Sequence, residues 1–168
     1  QLQDGMAAYL GGALRGAVIR SVAFADDPVS GHCALEFEFA APHLVQMLPG
    51  NLALVKLDFL NRFGVPSFAE RTRRLPVEFE GLHLSDLMEL TLPEGLSVEE
   101  MPDPSALGCS YGSYENRVVN DGTALRVDCV LRLPPAMVPV DDFAGVRQFL
   151  VDVGRAERVS AVLRIGRP

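Results

Sequence analysis

The chain has 168 residues, 48% hydrophobic and 22% charged, with 12 Pro, no Trp and a net charge of −7. That length suits one domain with a sizeable core, or at most two small ones, and the evenly spread apolar content excludes a disordered chain. The acidic balance argues against a general nucleic-acid binder, and no apolar run approaches the roughly 18 residues of a spanning helix.

Short alternating segments separated by Gly, Pro, Asn and Asp have the period of β-strands. Residues 17–24 and 33–39 read as strands flanking the turn-rich Asp26-Asp27-Pro28-Val29-Ser30-Gly31. In the second, Cys33, Leu35, Phe37 and Phe39 alternate with Ala34, Glu36 and Glu38, which puts an apolar stripe on one face and carboxylates on the other. Further strands are expected over 43–48, 52–57, 75–80 and 82–92, while 58–74 is irregular and holds a turn or a short helix. A hairpin joins 111–119 to 123–133 around Asn120-Asp121-Gly122, where Asp-Gly signals a two-residue type I′ turn. In that register Asn120 pairs with Thr123, and Val118, Asn116 and Tyr114 face the core, with Cys129 opposite Tyr114. A one-residue slip would turn Arg117 and Glu115 inward. After Pro134-Pro135 the period becomes helical: Phe143, Val146, Phe149, Leu150 and Val153 predict a helix over about 140–154, with Asp141 or Asp142 as N-cap and Gly154 as its stop. A last strand spans 158–165.

The expected fold is therefore mainly β, an antiparallel two-sheet β-sandwich with one C-terminal α-helix and a final strand. Residues 1–72 form a β-rich N-terminal portion, either a linking segment or the first lobe of the same sandwich. Residues 73–168 form the C-terminal portion with the helix, and the whole is expected as one compact unit.

No catalytic constellation stands out. Gly108-Cys109-Ser110-Tyr111-Gly112 matches G-x-S-x-G, but that elbow needs a strand turning into a helix, and here the segment leads into a strand. Cys33, Cys109 and Cys129 form no C-x-x-C pair and lack the electropositive setting of a reactive thiol. His32, His43 and His83 are scattered, so no metal or cofactor site is read. The pairs Asp26-Asp27, Glu99-Glu100 and Asp141-Asp142 lack the ligand spacing of a calcium loop and fit turns, solvation and capping. Arg71, Arg73 and Arg74 are the one basic cluster, read as a solvated face or a docking patch for an acidic partner, ahead of a set of buried ion pairs. Without Trp, and with Tyr114 turned inward, few aromatic platforms remain for a glycan.

Several segments nevertheless form an ordered series. Arg73-Arg74-Leu75-Pro76-Val77 precedes Leu92-Pro93-Glu94-Gly95-Leu96-Ser97-Val98 and Met101-Pro102. Then come Tyr111-Gly112-Ser113-Tyr114, Leu131-Arg132-Leu133, Val138-Pro139-Val140-Asp141-Asp142-Phe143 and Val146-Arg147-Gln148-Phe149. The series resembles the C-terminal β-sandwich domain of unknown function found downstream of the transglutaminase-like core in bacterial multidomain proteins. The likeness is best from Arg73 to Ile165 and loose before Arg73. It implies that the catalytic Cys, His and Asp belong to the upstream core, that no catalytic, cofactor or metal residue lies here, and that the protein is periplasmic or at the cell surface. The chain, which begins at Gln1 rather than Met, is accordingly expected to be a piece of a longer protein whose export signal lies upstream. The expected function is non-catalytic: supporting that core in the same polypeptide, or presenting substrate to it, with a protein or peptide ligand and neither nucleic acid nor membrane insertion. The alternative is a stand-alone extracytoplasmic ligand-binding or adhesion module of Ig-like architecture.

Overall fold

The computed structural model describes residues 5, 17–27, 29, 32–41, 44–57, 67–158 and 160–166. The fold is mainly β and antiparallel, with one C-terminal helix and a final strand. The chain divides into two units, residues 1–46 with 59–61, and residues 47–58 with 62–168.

The first unit holds a hairpin of β1 (Val18–Asp27) and β2 (His32–Ala40), in which Val18 lies opposite Ala40 and Asp27 opposite His32. Its register shifts between Ile19 and Ser21, and Arg20 at the shift pairs with Glu38 at 3.2 Å. The strands run further than the sequence predicts. Asp26 and Asp27 belong to the ladder, opposite Cys33 and His32, rather than to the turn.

A four-stranded sheet, which apart from the first two residues of β3 belongs to the second unit, has the order β3-β4-β12-β7, built from β3 (Val45–Leu48), β4 (Leu52–Lys56), β7 (Leu96–Glu100) and β12 (Ser160–Ile165). A second has the order β6-β10-β9-β8, built from β6 (Leu82–Thr91), β8 (Ser105–Cys109), β9 (Gly112–Asn120) and β10 (Ala124–Leu133). A short pair joins β5 (Val77–Phe79) to β11 (Ala136–Val138). Helix α1 (Phe143–Ala156) follows a 3-10 turn at Val140–Asp142. It runs past Gly154, the expected stop, since a single glycine only weakens a helix whose neighbours are well packed. Asp142 sits at the N-cap position without a capping hydrogen bond: its backbone (φ −88°, ψ −13°) is already helical, continuing the 3-10 turn, and its carboxylate accepts from Tyr111.

The alternation in β10 explains the layering. Leu125, Val127 and Cys129 pack with Ala53 and Val55 of β4 and Ala161 and Leu163 of β12, sheet against sheet. Leu131 and Leu133, on the same face, pack instead with Val146, Phe149, Leu150 and Val153 of α1. One sheet face is thus covered by a sheet at one end and a helix at the other.

Between the two cores runs a polar row. The register places Asp86, Cys129, Asn116 and Ser105 side by side across β6, β10, β9 and β8. Asn116 Nδ2 donates to the Tyr114 hydroxyl and to the Ala156 carbonyl at the helix end, both at 3.3 Å. The Tyr114 hydroxyl reaches Cys129 Sγ at 3.9 Å.

The β9–β10 hairpin corrects one expectation. Leu125 pairs with Asn120, Cys129 with Asn116 and Leu131 with Tyr114, two residues away from the predicted partners. The loop is wider than Asp-Gly alone: Gly122 has φ +93°, and Asp121 does not adopt the positive φ that a type I′ turn requires. Its carboxylate accepts instead from the backbone N–H groups of Thr123 at 2.9 Å and Ala124 at 2.8 Å. An even shift preserves parity, so the inward set of Tyr114, Asn116 and Val118 stands.

Candidate functional site

Residues 67–76, which hold the basic cluster, form neither helix nor strand. Their backbone is fixed by side chains. The Phe68 ring lies 5.2 Å edge-on from Phe143 at the start of α1 and 6.4 Å from Phe79 of β5. The Arg73 guanidinium sits over both rings, 5.3 Å from Phe68 and 5.5 Å from Phe143, and its Nε is 3.3 Å from Glu70. Such cation–π contacts contribute about 0.5–1 kcal/mol when exposed. From the helix, Arg147 Nε donates to the Phe68 carbonyl at 3.3 Å. The three arginines therefore do not converge. Arg73, itself partly exposed, is held over the two rings, while Arg71 and Arg74 are exposed and make no ion pair among the described residues.

The G-x-S-x-G segment closes a hairpin. Cys109 pairs with Gly112, leaving Ser110 and Tyr111 as a two-residue turn. A Cβ at Gly112 would stand 2.6 Å from Leu133 Cδ2 and 2.8 Å from the Arg132 carbonyl, so this glycine lets the strand approach its neighbour closely. The Tyr111 N–H donates to Cys109 Sγ at 3.4 Å, and its hydroxyl donates to Asp142 Oδ2 at 2.5 Å, joining the turn to the helix start. That hydrogen bond, on the neutral phenol, raises the Tyr111 pKa above its ordinary value.

An open groove of about 700 Å³ lies beside this turn. On its floor His83, Arg132 and Ser113 are direct cross-strand neighbours on β6, β10 and β9. The sequence reading missed this row; the alternation of β6 and β10 carried the signal, but only their mutual register brings His83 beside Arg132. Cys109 also lines the groove, yet it packs with the helix-side core, whereas His83 alternates with the inward Leu82 and Leu84. A thiol and an imidazole on opposite faces of a sheet do not make a nucleophile and base.

Of the acidic pairs, Glu99 is bound by Arg164 through two contacts of 2.6 and 2.7 Å, which lower its pKa. The side chains of Asp26, Asp27, His32 and Cys33, and the whole of His43, lie outside the described residues. Cys109 and Cys129 are free thiols. Among the described residues no cluster of three or more His, Cys, Asp or Glu side chains is placed to hold a metal ion, and no helix is long and apolar enough to cross a membrane.

No curated protein and no solved structure matches the chain. The sequence model of a family described as a domain of unknown function with a solved structure (DUF3858) matches residues 52–163, two-thirds of the chain. The match starts with β4 and ends within β12, so it takes in the sheet β6-β10-β9-β8 and the helix, and the other four-stranded sheet except β3 and the end of β12. The chain belongs to the DUF3858 family.

Proposed function

We propose that this domain is a non-catalytic accessory module, supporting a transglutaminase- or peptidase-like core upstream in the same polypeptide or presenting substrate to it, in the periplasm or at the cell surface. One observation carries the reading: the motif residues behind the resemblance build the scaffold. Leu96, Val98, Tyr114, Leu131, Leu133, Val146 and Phe149 all belong to the two cores, and Gly112 fits a close backbone approach. Residues that encode layers rather than a reacting centre suit a domain whose product is shape and surface.

Intact-mass and N-terminal sequencing of the native polypeptide tests this. The expected result is a much larger chain with a Cys-His-Asp core upstream, whose KM for a protein substrate rises when this segment is excised. A mature chain beginning near Gln1 overturns the accessory role. So does an isolated chain that hydrolyses or cross-links a peptide and loses that activity on Cys109→Ala or Ser110→Ala. The groove beside His83 and Arg132 favours a second reading, a stand-alone ligand-binding module. That reading requires the isolated chain to bind cell-wall glycan or protein with no core present.

A further inference from the structure

We infer that the segment 67–76 carries a docking surface for an acidic stretch of protein, in which Arg71 and Arg74 supply the charge and Arg73 holds the backbone that presents them. The inference rests on the accessory reading for the identity of the partner, and on geometry for the surface itself.

The segment lacks regular hydrogen bonding, so its conformation depends on Phe68 and Arg73 being locked against Phe143 and on Arg147 binding the Phe68 carbonyl. Locking costs entropy in the free chain, and a surface ordered beforehand loses less on binding. Charge distinguishes this place from the rest of the chain. Residues 67–76 carry Arg71, Arg73 and Arg74 against one carboxylate, Glu70, which is already bound to Arg73. At the neighbouring helix start Asp142 is taken by Tyr111, and Asp141 is exposed. The chain as a whole has a net charge of −7. Leu75, 74% exposed, follows directly after Arg74.

Two exposed arginines with no ion pair among the described residues, followed in the chain by an exposed leucine, fit a segment carrying two carboxylates about an apolar residue. Arg binds carboxylates through two parallel hydrogen bonds, and the apolar contact adds area without charge. A long polyanion suits the surface less well. Its phosphates would extend beyond the patch into the field of an acidic protein, whereas a short segment lies within about one Debye length, roughly 10 Å, of the arginines.

The test uses the 168-residue chain and two labelled peptides, Gly/Ser-flanked Glu-Leu-Glu and its Gln-Leu-Gln counterpart, followed by fluorescence anisotropy at about 50 mM salt. The expected result is preferential binding of the Glu peptide that weakens as salt rises. Arg71→Gln/Arg74→Gln together should reduce it about tenfold or more at an unchanged melting temperature. Arg73→Gln should instead lower the melting temperature. Equal binding of the two peptides, or an unaffected double variant, overturns the inference. So does tighter binding of a single-stranded oligonucleotide of similar length. A surface that binds as expected in a mature chain beginning near Gln1 leaves the docking site standing and removes the accessory role. A large parent chain whose domain ignores the Glu peptide does the reverse.

Discussion

Asp121 shows how one side chain can replace a backbone conformation. Asp-Gly is the strongest short hairpin signal, yet the Asp121 carboxylate accepts the Thr123 and Ala124 N–H groups and the Thr123 hydroxyl, forming a local turn that widens the loop. Those hydrogen bonds, the Thr123 and Ala124 backbone bonds first, lower its pKa. A carboxyl whose folded pKa is depressed adds stability that is complete above its unfolded value and lost as pH falls through the folded one. Asp121→Asn, which keeps the shape without the charge, should therefore lower the melting temperature at about pH 7 and converge with the parent chain toward about pH 2. Melts across that range check it, and a gap that does not narrow contradicts the assigned role. Arg73 makes a parallel case. A run of three arginines is visible in the sequence, but its inequality is not, because the rings that separate Arg73 from Arg71 and Arg74 come from Phe68 and from Phe143, far along the chain.

At the scale of elements, alternation was readable and partnership was not. Leu125, Val127, Cys129, Leu131 and Leu133 face inward as their spacing predicts, and the helix appears where the period changes. The register slipped by two because facing depends on parity alone, whereas pairing depends on a loop set by a side-chain hydrogen bond. Strands β8 and β11 escaped notice for a related reason. Ser-Ala-Leu-Gly-Cys and Ala-Met-Val are too short and too mixed to carry a period, and they are strands because neighbours supply the ladder. For the candidate site, the cationic run was legible, while the row of His83, Arg132 and Ser113 needed tertiary pairing to exist at all. The parity claim has a direct check. Leu131, 1% exposed, sits in the helix-side core, and Arg132 points outward. Leu131→Asp should cost about 4 kcal/mol or more and abolish folding at ordinary temperature, whereas Arg132→Asp should stay within roughly 1 kcal/mol. Equal losses in urea unfolding would show that the faces are misassigned.

In the second unit as a whole, one sheet serves two masters: β6-β10-β9-β8 is covered by the other sheet at one end and by α1 at the other, with the row of Asp86, Cys129, Asn116 and Ser105 between. The helix-side core draws on residues between Phe79 and Val153, whereas the sheet-side core joins Ala53 to Leu163. Closing the longer loop costs more entropy and comes later in folding. Pulse-labelled hydrogen exchange during refolding should protect amides of β9, β10 and α1 before those of β4 and β12, and the reverse order would refute the division. Time of synthesis adds to this. Strand β12 lies between β4 and β7, with Ser160 opposite Lys56 and Ile165 opposite Leu96. A ribosome delivers β4 and β7 long before the strand that separates and joins them. Until then each has an open edge that any passing strand can occupy. The nascent chain is thus most exposed to mispairing and to chaperones in the interval between the emergence of β7 and that of β12.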